Sequence, residues 1–228
     1  MEILLISATE AEIAPLKEHL ATQWKTAPGG AYSKDILNVY MLIGGVGLVS
    51  TAYELTRKLL SQKFDLVLQV GIAGSYDRNI QLGDVVFITS ETFGDLGAED
   101  HYNFLDVFDL GLADKDAAPF VNKVLNTPSH NTLDKITLPE ASSLSINMTS
   151  GSSFTATARY EKYSCQIENM EGGALHYICL REQVPFAQIR SISNYVEARD
   201  KSKWQIKDAV INLNKYIMDL LDRYSLDE

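Results

Sequence analysis

The sequence predicts a single α/β domain with a mostly parallel or mixed central sheet. Short apolar segments rich in branched residues alternate with longer amphipathic segments, and this alternation is typical of buried strands covered by helices. With 228 residues and 46% hydrophobic side chains, the chain suits one domain with a substantial core. No internal repeat, linker or low-complexity tract divides the sequence, so the domain is expected to span residues 1–228.

The individual elements follow from hydrophobic periodicity. Apolar runs predict strands at residues 3–7, 39–43, 66–70, 85–89 and 186–192. Amphipathic patterning predicts helices at residues 46–60, 170–182 and 206–224. The stretch from 95 to 142 is less periodic and rich in Asp, Asn, Ala and Pro. We expect it to form loops and short helices, either beside the site or at a subunit interface.

Composition and charge exclude several classes of partner. The net charge of −10 argues against nucleic acid or an anionic membrane, because both select clustered Lys and Arg. No run of about 18 apolar residues is present, so no membrane span is expected. The first residues are typical of a buried strand rather than a signal peptide. The two cysteines, Cys165 and Cys179, fit neither a disulfide framework nor a zinc motif, so a cytoplasmic setting and no metal are expected.

The segment 167–174 carries the most chemical information. A polar, strand-like run ends there in Met170 and Glu171, and Gly172 and Gly173 follow at the start of a predicted helix. An acidic residue at a helix start is favoured by the helix dipole without any other function. Two glycines, however, each cost a helix about 1 kcal/mol relative to alanine, so close packing or a ligand against the first turn is expected. At a strand end, Glu171 can accept hydrogen bonds from two sugar hydroxyls and Met170 can lie under a ribose face.

Two further features point to a purine. Ser193 and Asn194 end the next apolar strand, where the Asn194 amide can bind the edge of a purine. Phe154 can stack on a planar base, although an isolated phenylalanine is more often a core residue. Together with the acidic segment, these residues predict an enzyme that cleaves a nucleoside.

Glu12 admits two interpretations. Thr9 and Glu12 have the spacing of a capping box, which explains the acid structurally. Pro15 favours a later helix start, because proline prefers the first helical turn. On that second interpretation Glu12 lies near the end of the first strand, where its carboxylate is available for chemistry.

Taken together, these segments resemble the purine nucleoside phosphorylase / uridine phosphorylase superfamily, in its nucleosidase branch. The resemblance covers most of the chain and is most specific at residues 168–172 and 190–194, with further matches at 8–12, 44–47, 70–74 and 82–86. It implies a three-layer sandwich with a mixed central sheet, hydrolysis of an N-glycosidic bond by water, no cofactor, and a homo-oligomer (dimer or higher).

The resemblance also implies roles for individual residues. Glu12 corresponds to the base that activates water. Glu171 corresponds to the acid that binds the ribose hydroxyls, and Met170 to the methionine packed against the sugar. Phe154 corresponds to the aromatic residue that stacks on the base. Around these, Ser193 and Asn194 contact the base, and Trp204 corresponds to an aromatic lid.

Two departures from the superfamily pattern narrow the reaction. Residues 7–12 offer two carboxylates and no cation, so water is favoured over phosphate as the nucleophile. Asn194 stands where adenosine-type nucleosidases have an aspartic acid that protonates the purine. A neutral amide donor instead stabilises negative charge on a 6-oxopurine leaving group. The resemblance is therefore strongest to futalosine hydrolases of menaquinone biosynthesis, which release hypoxanthine.

Several alternatives stay open. A methylthioadenosine/adenosylhomocysteine nucleosidase and an aminodeoxyfutalosine nucleosidase are the nearest, and a non-catalytic nucleoside-binding protein belongs to another class. Futalosine also carries a benzoate arm beyond its 5′ carbon. The sequence offers several cations for that arm and does not choose among them: Arg78, Arg199, Lys201 and Lys203. Residues 95–103 are further candidates, in the same chain or across a dimer interface.

Overall fold

The computed structural model describes residues 1–101 and 103–226. Strands and helices alternate along the chain. The strands are β1 (Glu2–Ser7), β2 (Lys25–Thr26), β3 (Tyr32–Lys34), β4 (Leu37–Ile43), β5 (Leu66–Ser75), β6 (Val85–Phe93), β7 (Gly97–Asp100), β8 (Asn103–Asp106), β9 (Leu125–Asn126), β10 (Glu140–Ser145), β11 (Ile167–Asn169) and β12 (Phe186–Tyr195). The helices are α1 (Glu10–Gln23), α2 (Leu48–Ser61), α3 (Ser153–Tyr163), α4 (Gly172–Glu182) and α5 (Ile206–Ser225).

Ten of the strands form one mixed sheet in the order β11-β10-β6-β12-β5-β1-β4-β3-β2, with β9 added beside β6. Strand β5 pairs in parallel with both β1 and β12, whereas β12 is antiparallel to β6. Strand β11 is parallel to β10 and also pairs antiparallel with β5. The strands β5, β12, β6, β10 and β11 therefore close into a ring at one end of the sheet. The predicted mixed sheet is confirmed, and the ring is a feature that apolar periodicity does not reveal.

The two faces of the sheet carry separate cores. On β1, Ile3 and Leu5 belong to a buried cluster that includes residues of α1 and α5. Leu4 and Ile6, which point the other way, belong to a cluster that includes residues of α2 and α4. This alternation gives the three-layer arrangement of helices, sheet and helices that the resemblance implied.

Helix α1 begins earlier than the proline suggested. It starts at Glu10, with Thr9 as N-cap, and Pro15 lies inside it. The expectation of a later start is therefore wrong. The capping box between Thr9 and Glu12 is formed and sets the helix start by satisfying first-turn donors.

The excursion between residues 95 and 142 contains little helix. Strands β7 and β8 form a hairpin, β9 adds to the main sheet, and a 3₁₀ turn covers Asn131–Leu133. Lys123 links the segment by donating hydrogen bonds to the carboxylates of Asp106 and Asp109. No helix in the described part of the chain is long and apolar enough to cross a membrane.

His176 lies fully buried in α4, and burial lowers the pKa of its imidazole to about 3. Its Nδ1 is 3.1 Å from the carbonyl oxygen of Leu125, to which the neutral ring donates. Because this folded-state pKa lies below the usual value of about 6.5, the neutral ring stabilises the fold fully above that value. The contribution is lost as the pH falls from there toward the folded-state pKa.

We therefore expect His176 to account for about 2 kcal/mol of lost unfolding free energy between about pH 7.5 and about pH 5. Urea denaturation of the wild type and of His176→Leu at both pH values measures this term. The variant should be less stable than the wild type at the higher pH, but it should lose less unfolding free energy on acidification. All other titrating groups are shared, so the difference between the two losses reports His176. An identical loss in both proteins would contradict the assignment.

Candidate active site

A cavity of about 370 Å³ lies where β1, β5 and β12 end and where β11 crosses beside β5. Its lining includes six of the seven residues that the sequence singled out: Glu12, Met170, Glu171, Ser193, Asn194 and Trp204. Phe154 does not line it; this residue lies in the first turn of α3 and is 69% exposed. Four chain segments that lie far apart in sequence therefore meet in one concave site.

Glu12 is both a helix cap and a cavity residue. Its Oε2 accepts hydrogen bonds from the backbone N–H and the hydroxyl of Thr9, each at 2.9 Å, and from the Ser7 hydroxyl at 3.2 Å. Its Oε1 accepts from the backbone N–H of Ile72 at 3.1 Å. The two interpretations of Glu12 are thus compatible, because the cap fixes the carboxylate at the cavity wall.

Glu171 lies buried at the N-cap of α4 and faces the glycine-containing turn after β4. Its Oε1 accepts from the backbone N–H of Gly47 at 3.0 Å, and its Oε2 accepts from Arg190 Nη1 at 3.3 Å. Gly47 has φ 89°, a left-handed value that favours glycine. The turn at residues 44–47 therefore supplies an amide that orients the acid.

Asn169 connects Glu171 to the sheet below it. Its Oδ1 accepts from the backbone N–H groups of Glu171 at 2.9 Å and Gly172 at 2.6 Å, and from Arg190 Nη2 at 3.1 Å. Its Nδ2 donates to Glu91 at 2.6 Å. One amide side chain thus fixes the first turn of α4 and the Arg190 guanidinium relative to each other.

The two glycines of α4 allow this helix to approach the buried sheet closely. Glu91 is fully buried and accepts from Ser145 Oγ and Gln188 Nε2, while burial raises the pKa of its carboxyl group. A Cβ on Gly172 would lie 2.0 Å from Glu91 Oε1, and one on Gly173 would lie 2.6 Å from the Phe93 ring. Close packing explains the glycine pair.

Arg190 is a site residue to which sequence reasoning gave no role. Its side chain is almost fully buried on β12. A Cβ on Gly71 would lie 2.5 Å from Arg190 Nη1 and 2.9 Å from Glu12 Oε1. Because glycine has no side chain, the guanidinium and this carboxylate can both pack against the backbone of Gly71. An arginine within an apolar strand was the available signal, since arginine is almost never buried unless it is paired.

A β-bulge shapes the end of β12. The register against β5 shifts between Ile192 and Asn194, which leaves Ser193 as the extra residue and pairs Asn194 with Gly74. The Ser193 hydroxyl donates to Asn194 Oδ1 at 2.8 Å, and Asn194 Nδ2 donates to the Tyr195 carbonyl at 3.1 Å. Each end of the amide thus makes one hydrogen bond within the protein, which leaves one N–H of Nδ2 for a ligand in the cavity that Asn194 lines.

The candidate cations for the substrate arm differ in position. Arg199 lines the cavity, with its guanidinium 5.0 Å from the centroid of the Trp204 ring. Arg78 and Lys203 form ion pairs with Glu197 and do not line the cavity, and neither does Lys201. Within the described ranges, Arg199 is the cationic side chain of the lining.

Residues 95–103 were also candidates for the arm. The described members of this stretch do not line the cavity, and Tyr102 lies outside the described residues. Asp95 instead accepts hydrogen bonds from the backbone N–H groups of Asn147 and Met148. Across residues 1–101 and 103–226, no cluster of three or more His, Cys, Asp or Glu side chains has metal-binding geometry.

Comparison with known proteins places this chain in a family. A model of the phosphorylase superfamily matches residues 2–224. Futalosine hydrolase of Thermus thermophilus is 28% identical over 223 residues, covering 96% of this chain and 94% of that protein. The 5′-methylthioadenosine/S-adenosylhomocysteine nucleosidase of Colwellia psychrerythraea is 24% identical over 244 residues, covering 97% and 96%. The crystal structure of the Colwellia nucleosidase with adenine has a TM-score of 0.78 at 20% identity, covering 98% of this chain and 95% of its own.

These matches bear on enzyme class as well as on fold. The curated relatives are named as a hydrolase and a nucleosidase, and the predicted class, an N-glycosyl hydrolase, is confirmed. With a family model that covers nearly the whole chain, and a cavity built by the segments that suggested the resemblance, this protein belongs to the phosphorylase superfamily.

Proposed function

We propose that this enzyme hydrolyses the N-glycosidic bond of futalosine and releases hypoxanthine, in menaquinone biosynthesis by the futalosine pathway. The observation that carries the proposal is Asn194 in the cavity lining, whose Nδ2 donates one N–H to the Tyr195 carbonyl and keeps a second N–H for a ligand. A 6-oxopurine offers acceptors at N7 and at its exocyclic oxygen. An amide donor stabilises the charge that this leaving group develops without transferring a proton.

The proposed reaction passes through a ribosyl oxocarbenium-like transition state. As the bond between the anomeric carbon and the purine nitrogen breaks, the purine takes the electron pair and its charge spreads toward Asn194. Water attacks the anomeric carbon and gives a proton to the Glu12 carboxylate. Glu12 releases that proton to solvent and the purine anion takes one from solvent, so the products are a free sugar hydroxyl and neutral hypoxanthine.

The sugar is held by groups on the other side of the cavity. Glu171, fixed by Gly47 and Arg190, accepts hydrogen bonds from the ribose hydroxyls. Met170 packs against the sugar with a polarisable surface. For Phe154 to stack on the purine, its exposed side chain has to turn toward the cavity.

The carboxylate of the substrate arm needs a cation, and Arg199 supports futalosine over a substrate with an apolar arm. Arg199 lies in the cavity lining beside Trp204, and we propose that the Trp204 ring covers the substrate arm. The cytoplasmic setting is proposed from the two free cysteines, and the homo-oligomeric state from the resemblance. Size-exclusion chromatography with light scattering tests the latter.

The test is purine release in phosphate-free buffer from futalosine, aminodeoxyfutalosine and methylthioadenosine, followed by chromatography. We expect hypoxanthine release from futalosine at the highest kcat/KM. Arg199→Gln should lower kcat/KM for futalosine roughly 10-fold or more, since a charged hydrogen bond contributes about 1.5–3 kcal/mol, and should leave methylthioadenosine unaffected.

Other outcomes select the alternatives. Preferential adenine release from methylthioadenosine would replace the proposal by a methylthioadenosine/adenosylhomocysteine nucleosidase. Preferential adenine release from aminodeoxyfutalosine would favour the 6-amino analogue as substrate. Binding of all three nucleosides without any purine release would favour a non-catalytic binding protein.

A further inference from the structure

We propose that Glu168 determines the specificity of this site by accepting a hydrogen bond from the N1–H of a 6-oxopurine. This inference rests on the proposed function, since it concerns the base that the same cavity binds. Glu168 lines the cavity and is only 6% exposed, yet the reaction derived above gives it no task.

The position of Glu168 follows from the closure of the strand ring. Strand β11 pairs Glu168 with Gly74 of β5, and β12 pairs Asn194 with the same Gly74 on the other side. Because neighbouring strands lie about 4.8 Å apart, the backbones of Glu168 and Asn194 are separated by roughly 10 Å across the glycine. A Cβ on Gly74 would lie 3.1 Å from Asn194 Nδ2. In the row Glu168–Gly74–Asn194, the middle residue has no side chain, and a polar side chain stands at each end.

Hydrogen bonds around Glu168 orient its carboxylate and leave one acceptor position. Oε2 accepts from the Tyr76 hydroxyl at 2.6 Å and the Ser150 hydroxyl at 2.7 Å, with Arg159 Nη1 3.9 Å away. Burial, with the nearby carboxylate, raises the pKa of Tyr76, so this phenol stays a donor. Within the described chain, Oε1 accepts one hydrogen bond, from the Ser150 N–H at 3.0 Å. A carboxylate oxygen has two lone pairs, so Oε1 can accept another donor.

The two ends of this row have opposite hydrogen-bonding character. Asn194 retains one N–H donor, whereas the Glu168 carboxylate can only accept. A 6-oxopurine is complementary to both, because it carries acceptors at N7 and O6 and a donor at N1. Adenine has an unprotonated N1, whose lone pair would face the negatively charged Glu168. An acceptor opposite an acceptor in a desolvated site is a strong device for rejecting the wrong base.

Binding of free bases tests this inference. Calorimetric titration of the wild type with hypoxanthine and adenine should give a Kd ratio of roughly 10 to 100 in favour of hypoxanthine, the range expected for one hydrogen bond to a charged group. Glu168→Gln should reduce that ratio at least about 10-fold, since the amide loses the charge and can donate to N1 of adenine. Tyr76→Phe is the matched control; it removes a donor behind the carboxylate and should keep the preference for hypoxanthine.

Three results would overturn the proposal. The first is a wild type that binds adenine as tightly as hypoxanthine, a measurement that needs no variant to fold. The second is an equal loss of affinity for hypoxanthine and for adenine in a folded Glu168→Gln protein, which would indicate a merely structural role for Glu168. The third is loss of the preference in Tyr76→Phe as large as in Glu168→Gln. Futalosine turnover by the wild type is measured separately, so a site selective for hypoxanthine that leaves futalosine intact would refute the proposed function and not this inference.

Discussion

Glu12→Gln is expected to lower kcat for nucleoside hydrolysis roughly 10²- to 10⁴-fold, the usual contribution of a general base, while KM changes little. An amide cannot take the proton of the attacking water. Its single carbonyl oxygen can keep the hydrogen bond from the Thr9 N–H, as glutamine does in a capping box, while its NH2 group replaces the oxygen that accepted from the Ile72 N–H. The helix start should therefore persist, at some cost in stability, while the chemical step fails.

The matched control for this variant is Glu10→Gln. Glu10 lies in the same helical turn, but its exposed carboxylate pairs with Lys17 and does not line the cavity. The same change of charge there should leave kcat near the wild-type value. Steady-state kinetics of both variants tests the general-base role of Glu12, and thermal unfolding checks that both variants are folded. Full turnover by Glu12→Gln would show that Glu12 is not the general base.

Gly172→Ala is expected to lower the unfolding free energy by on the order of 3 kcal/mol and to reduce the activity of the folded fraction. Alanine improves helix propensity by about 1 kcal/mol, so an isolated helix would gain from the change. Here the new methyl would lie 2.0 Å from Glu91 Oε1 and 2.4 Å from Gln188 Nε2. Those atoms cannot move away without breaking buried hydrogen bonds, because both belong to a hydrogen-bonded cluster that also includes Asn169.

Gly151→Ala is the control for Gly172→Ala. A Cβ on Gly151 would meet no atom within 4 Å, and this glycine does not have a left-handed φ. Its urea midpoint should stay close to that of the wild type, whereas the midpoint of Gly172→Ala should fall. If both midpoints match the wild type, the packing explanation for the glycine pair is incorrect.

The extent of sequence-based prediction differed between elements for physical reasons. Helix α5 was predicted almost to the residue because its buried side chains repeat at helical spacing. Strands β5 and β12 run past their predicted apolar segments, to Ser75 and Tyr195, because residues near their ends, such as Gly74 and Asn194, are small or polar and give no apolar pattern. Helix α3 and strands such as β10 were missed because their apolar periodicity is weak.

The site shows the same division. Glu12, Glu171 and Asn194 were recognisable in sequence because each stands in a short motif at a strand or helix end. Arg190 and Glu168 lie in the same motifs but gained roles only when their neighbours were known. Conversely, Phe154 fitted the sequence pattern, and its exposure in the fold is set by α3, which the pattern did not predict.

The sequence by itself determined the α/β layers, the family and the strand ends that carry the acids, because periodicity and short motifs are local properties of the chain. Only the tertiary structure decided that β11 closes against β5, that Arg190 pairs with Glu171, and that Glu168 and Asn194 flank the bare backbone of Gly74. Those relations join residues about 20 to 120 positions apart. They depend on strand register and burial, which are set by packing of the whole domain rather than by any one segment.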